Sequence, residues 1–255
     1  MAESLVNMDG WSSFLRIIAV QAAVLLFVEL PRQRRVDRGP FVHSLGKSLL
    51  AGLAMGLPFG IVFDVVISSH FGVFRYILHG LPFAILNGLL SYGLAIATAL
   101  RLSPLALPAK PETRMTVWLG LAAISVLGAI ATLVGTHLLI RLVGLGALIM
   151  AVGEFVEILV LGTYGPVSEA LRGLLGRPLQ AWALVAVVGT VYEAANFVWP
   201  VWKWASIGLG SPLVSEGIIA VFGYVVLMHA CRVAGMLALR VIDHAQAQLE
   251  DRSRG

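Results

Sequence analysis

The residues able to do chemistry in this sequence are carboxylates set inside apolar runs. Asp64 and Glu193 each stand shortly before an aromatic connector, Phe71-Gly-Val-Phe-Arg-Tyr76 and Trp199-Pro-Val-Trp-Lys-Trp204 respectively. Glu216 follows Pro212 within about a turn, and Asn87 occupies the comparable place after Pro82. An isolated ionised carboxylate is too costly to leave in hydrocarbon, so such acids face a bundle interior or a wet cavity. There they can deliver or collect a proton. Asp64, Glu193 and Glu216 are therefore the candidate catalytic acids. Arg16, Arg141, Arg75 and Lys203 fall in the same layer. Arg16 and Arg141 have two readings: they pair with Asp64 and Glu193 to pin helices together or snorkel to headgroups, or they belong to a proton-handling or polar-recognition site.

Asn196 lies three residues beyond Glu193, on the same helix face. It is either hydrogen-bonded to Glu193 or a capping amide. Glu154 and Glu157 share a face at mid to inner depth and suggest a second polar spot or a contact between halves. Glu29, beside Pro31 and an arginine-rich loop, reads as interfacial. His70, His79 and His137 offer no pair three or four residues apart within one helix, so they are expected in loops and no metal site is read. One cysteine, Cys231, excludes an intramolecular disulfide or a cysteine-ligated metal. No lysine lies between Pro212 and Arg240 to form a retinal Schiff base, and neither a phosphate-binding glycine loop nor a nucleophile elbow is present. No cofactor is expected.

The elements that must position these groups follow from composition. Of the 255 residues, 58% are hydrophobic and 13% charged, and the mean hydropathy is +0.89. At roughly 20 residues per crossing, apolar stretches at Trp11–Leu30, Ser48–Ser69, Leu81–Leu100, Val117–Gly135, Leu138–Leu161, Leu179–Val198 and Pro212–Gly235 predict an all-α integral membrane protein with seven transmembrane helices. Arg32, Arg34, Arg35, Arg38 and Lys47 follow the first stretch; Arg101, Lys110 and Arg114 the third; Arg172 and Arg177 the fifth; Arg240, Arg252 and Arg254 the last. Their clustering predicts an N-out, C-in orientation by the positive-inside rule. The net charge of +4 is thus explained by topology and points to no nucleic acid. Residues 1–10 carry Glu3 and Asp9 without a basic residue, so the first stretch is expected to stay in the mature chain, in a bacterial inner membrane.

Charges also report an internal duplication. Arg16 to Glu29 matches Arg141 to Glu154 at one spacing, Phe63-Asp64 matches Tyr192-Glu193, and the two connectors agree in three aromatics, a valine and a basic residue. Pro82 and Pro212 then open the third helix of each half, with Tyr92 and Tyr224 inside it. The chain reads as one membrane domain: a first three-helix repeat at 11–100, a loop and linker helix at 101–137, a second repeat at 138–240 and a polar cytoplasmic tail at 241–255. An odd linker makes the repeats parallel, about an axis along the membrane normal. Gly52, Gly56, Gly60, Gly144 and Gly146, with Ala147, offer small faces for close helix packing.

Two three-helix halves, each with an acid near a helix end, an aromatic connector and a proline-led helix, resemble the membrane-integral lycopene cyclase domain and its carotenoid-hydratase relatives. The matching stretches are Phe63-Asp64 to Pro82 and Tyr192-Glu193 to Glu216. Where the cyclases carry a proline followed by two adjacent acids, this chain has Pro212-Leu-Val-Ser and the single Glu216. The resemblance implies a bilayer enzyme on which a carboxylic acid protonates a polyene, followed by ring closure or addition of water. Asp64, Glu193 and Glu216 would be its acids. Asn196, Asn87, Trp199, Trp202, Phe74, Arg141 and Arg16 would bind the polyene or isoprenoid lipid. The same acids would also suit a proton-coupled carrier, or a non-catalytic pigment-binding or scaffold subunit of a homo-oligomer or larger membrane complex.

Overall fold

The computed structural model describes residues 7–33, 45–65, 70–72, 74–102, 107–108, 114–173, 175–204, 214 and 217–254. Seven of its helices are long and apolar enough to cross a membrane, the build of an all-α integral membrane protein. They are α1 (Asn7–Gln33), α2 (Leu45–Phe63), α3 (Leu81–Leu102), α4 (Arg114–Val134), α5 (Leu138–Leu161), α7 (Gly176–Val198) and α8 (Tyr224–Arg254). A short helix, α6 (Pro166–Leu171), lies between α5 and α7. Two stretches widen to π geometry inside or before these helices, Asn87–Tyr92 within α3 and Ile219–Gly223 leading into α8; α5 ends in another, Glu157–Leu161.

Two boundaries differ from the reading by hydropathy alone. Helix α3 runs on to Leu102 and so includes Arg101, and α8 continues to Arg254 in place of a separate tail. The tail residues Ala, Gln, Leu, Glu and Arg are good helix formers, and Lys47 Nζ bonds Asp243 Oδ1 at 2.7 Å where α8 begins to turn polar.

Helices α3 and α8 cross at the centre. Ala95, Ile96 and Ala99 of α3 meet Tyr192 of α7 and Tyr224, Met228 and Cys231 of α8 in one core. Helix α2 lies against α3 with almost no side chain between them: a Cβ on Gly56 would overlap the Gly88 carbonyl and come within 2.8 Å of the Gly93 nitrogen. Helices α4 and α5 approach in the same way at Gly128 and Gly144, where a Cβ on either would meet the other's carbonyl at 2.7 Å. In a bilayer, where lipid is as apolar as leucine, such close approach supplies the packing that holds helices together.

Two small antiparallel ribbons tie the connectors. Strand β1 (Phe74–Tyr76) pairs with β4 (Trp202–Trp204), and β2 (Leu107–Pro108) with β3 (Thr163–Tyr164). Since β1 precedes α3 and β2 follows it, the ribbons stand at opposite ends of the bundle.

The acids inside the bundle complete the frame. Glu29 is buried, and Arg101 Nε donates to its Oε2 at 2.6 Å, fastening α1 to α3. The extension of α3 is what brings the guanidinium there. Arg232 of α8 bonds Glu157 of α5 in the same manner. Glu154 accepts the amides of Gly165 and Val167, both at 2.9 Å, and of Ser168 at 3.3 Å, with the Ser168 hydroxyl at 2.5 Å. A carboxylate thus satisfies the first turn of α6, whose N–H groups have no partner within their own helix.

Replacing Gly56 by valine is expected to cost about 1–3 kcal/mol through overpacking against α3. It should lower the thermal midpoint in detergent, while Leu53→Ala, on the exposed face of α2, leaves the midpoint nearly unchanged.

Candidate functional site

Residues two apart on a strand point to one side. On β1 and β4 this places Phe74, Tyr76, Trp202 and Trp204 on one face of the ribbon and Arg75 and Lys203 on the other. The register is Phe74 opposite Trp204, Arg75 opposite Lys203 and Tyr76 opposite Trp202. Arg75 and Lys203 are exposed, while the aromatic face turns into the bundle, with the Phe74 and Trp204 rings edge-on at 5.4 Å.

Beneath that face lies a cavity of about 660 Å³, within the range of small-molecule sites. Phe63, Tyr76, Tyr92, Trp202, Trp204 and Tyr224 form its roof, and Ala95, Met150 and Met228 are among the residues below. Val143 and Phe222 also line it, yet both are exposed on the apolar surface of the bundle. The cavity is therefore open sideways, toward the hydrocarbon.

Behind the roof stand the two acids. Asp64 Oδ1 accepts the Tyr92 hydroxyl at 2.6 Å and the Tyr76 hydroxyl at 3.0 Å, and Asn87 Nδ2 donates to Tyr76 at 3.0 Å. Glu193 accepts the Trp204 indole N–H at 2.8 Å on Oε2, and the Trp202 indole N–H at 3.2 Å and the Tyr224 hydroxyl at 3.0 Å on Oε1. The π turn of α3 explains how Asn87 and Tyr92 reach the same phenol: five residues apart on an α-helix they would diverge by about 140°, and the wider turn swings them together. The three phenols and two indoles line the cavity, whereas Asp64 and Glu193 do not. Among the described residues, aromatic O–H and N–H groups stand between each acid and the cavity.

Of the residues expected to bind substrate, Asn87, Phe74 and Trp202 line the cavity. Asn196 does not bond to Glu193. Its Oδ1 accepts the amides of Val201 at 2.9 Å and Trp202 at 3.1 Å, and its Nδ2 donates to the Trp202 carbonyl at 3.0 Å, so it braces β4. Trp199 packs outside the cavity with the Arg16 guanidinium 5.7 Å from its ring centroid, and Arg141 lies 5.2 Å over Phe71 while its Nε donates to the Thr132 carbonyl. Neither arginine is the partner of Asp64 or Glu193 in any bond seen among the described residues; phenols and indoles take that role. His70, His79 and His137 are exposed. Glu216 lies outside the described residues.

Gln21 is a cavity residue that periodicity did not single out. It is buried in α1, donates to Ser91 Oγ at 3.0 Å, and its Oε1 has no partner among the described residues. A polar residue on an otherwise apolar helix was the available signal. No family model, curated protein or solved structure matches the chain.

Asn196→Ala removes three bonds that hold the ribbon, each worth about 0.5–1.5 kcal/mol. Backbone amide exchange at Val201 and Trp202 is expected to quicken at least tenfold relative to amides in α3, and unchanged protection would contradict the bracing role.

Proposed function

We propose that the chain is an internally duplicated membrane enzyme that modifies a polyene or related isoprenoid lipid through a carbocation, by acid-initiated cyclisation or hydration. The observation that carries this reading is the aromatic roof over an apolar, laterally open cavity with carboxylates held directly behind it. A lipid-dissolved hydrocarbon can enter such a space without crossing water. Aromatic faces stabilise a cation through their negative quadrupole, and a carboxylate behind each phenol or indole reinforces that field.

In this proposal a proton from Asp64 or Glu193 passes through an adjoining phenol: the phenol gives its proton to a terminal double bond and takes one from the carboxyl. The resulting tertiary cation is attacked by a neighbouring double bond, and an adjacent C–H proton returns to the carboxylate, so the net change is isomerisation. Where water attacks instead, its surplus proton returns by the same route and the net change is hydration. Asp64, Glu193 and Glu216 are the proposed acids, and the carbonyl of Gln21 offers an acceptor to a donor on the ligand.

Several observations favour the duplication and a parallel arrangement of the halves. The matched connectors pair with each other. Each of two π stretches leads to a tyrosine that bonds the acid of its own half, Tyr92 to Asp64 and Tyr224 to Glu193. A buried acid–arginine pair joins the first and third helices of each half. We place the β1–β4 ribbon on the outer side of a bacterial inner membrane, following the distribution of basic residues.

In a lycopene-accumulating host, the protein should convert the pigment to a product of different retention and absorption. Asp64→Asn and Glu193→Gln are each expected to lower its yield about 100-fold or more, the usual weight of general acid–base catalysis. Unchanged pigment beside folded, membrane-inserted protein would overturn the reading. For orientation, Lys203→Cys in a Cys231→Ser background should react with an impermeant maleimide on intact cells, and Asp243→Cys should react only after lysis.

A further inference from the structure

We infer that Glu154, Glu157 and His229 form a binding site for a divalent transition-metal ion, set between α5, α8 and the start of α6. It lies toward the end of the bundle away from Asp64 and Glu193. One donor atom from each residue lies within 4.8 Å of the other two, and all three residues are buried. Ligands at about 2.0–2.2 Å from a common ion need only a small contraction of that triangle.

Two orphan atoms point to the ligand. Glu157 Oε2 is occupied by Arg232, but Glu157 Oε1 has no hydrogen-bond partner among the described residues, and neither has His229 Nε2. Both residues are more than nine-tenths buried. The imidazole hydrogen-bonds the Met150 backbone, and with Nε2 unpartnered this bond belongs to the other ring nitrogen. A metal-ligating histidine is commonly arranged in this way, one nitrogen fixed by a carbonyl and the other free to coordinate. Glu154 Oε1 accepts the Val167 amide, and a carboxylate oxygen has a second lone pair for an ion.

Space and charge agree. A Cβ on Gly165 would overlap Glu154 Oε1 and Glu157 Oε2 and come within 2.5 Å of Arg232 Nη2, and one on Gly153 would come within 2.9 Å of His229 Nε2. Glycine at both positions keeps the donor atoms clear. Glu154 and Glu157 stand beside the Arg232 guanidinium, and buried Glu169 adds to the negative field at Glu157. A divalent cation suits that negative field.

The frame provides its own comparison. Between α1 and α3, the buried pin seen among the described residues is Glu29 with Arg101. Between α5 and α8 the same pin carries a second carboxylate and an imidazole in addition. Imidazole with carboxylates and no thiolate suits Zn²⁺, Mn²⁺ or Fe²⁺. Three protein ligands also leave room for a further one.

The test is independent of any reaction in the cavity. Protein purified in detergent without chelator should carry a stoichiometric metal by mass spectrometry of the digest. Stripped with EDTA, it should regain thermal midpoint on addition of Zn²⁺, Mn²⁺ or Fe²⁺. His229→Gln should lower metal content at least tenfold, and Glu29→Gln, which breaks only the other pin, should keep it. The inference is overturned if wild-type protein holds no stoichiometric metal and the stripped protein responds to none of the three ions, a trapped water then satisfying Glu157 and His229. Wild-type metal content in folded His229→Gln protein would overturn it equally. Should that variant fail to fold, the two wild-type measurements decide.

Discussion

Hydrocarbon does not hydrate charge, so a carboxylate inside this bundle must bring its own donors. That requirement decides where the helices go. Glu29 meets Arg101, Glu157 meets Arg232, Glu154 meets the open first turn of α6, and Asp64 and Glu193 meet phenols and indoles. Separating the helices that carry such partners would leave a buried charge uncompensated, at a cost larger than a single close-packed glycine contact can offset. The acids therefore act as fasteners of the bundle.

The fasteners differ in kind. An arginine neutralises its acid, and the Glu29–Arg101 pair is finished in that sense. Asp64 and Glu193 are held instead by phenol and indole donors, which are neutral groups lining the cavity below. The ribbon of β1 and β4 makes this possible on a few residues. Its alternation sends aromatic groups inward and Arg75 and Lys203 outward, and Asn196 fixes it by taking the backbone donors that a two-stranded ribbon leaves unpaired. The π turns serve the same end, since they bring residues of one helix together that an α-helical repeat would separate.

The glycines at the contact of α2 with α3 and of α4 with α5 have a complementary role. They let backbones approach so closely that little freedom of rotation is left, which sets the angular position of Asp64 at the end of α2 relative to Tyr92 on α3. A few tenths of an ångström at Gly56 are thus felt at the acid.

Much of this was legible from residue order, because it is local. Seven apolar runs, the small faces of α2 and α5, the acids in unexpected surroundings and the matched connectors all lie within one helix or one loop, where spacing along the chain equals spacing in space. The partners were not legible. Asp64 and Glu193 invite pairing with Arg16 and Arg141 when only charge is counted, yet the folded chain gives them Tyr76, Tyr92, Trp202, Trp204 and Tyr224. Nothing local links Glu29 to Arg101, 72 residues away, which bonds it in the folded chain. Gln21 and His229 sit in helices whose periodicity marks neither, and only the crossing of α1, α3, α5 and α8 brings Gln21 to the cavity and His229 beside Glu154 and Glu157. Sequence by itself determined which segments leave water and which of them carry charge, since each follows from local composition. Tertiary structure alone decided which donor meets which acid, because that depends on the rotation and depth at which helices far apart in the chain come to rest.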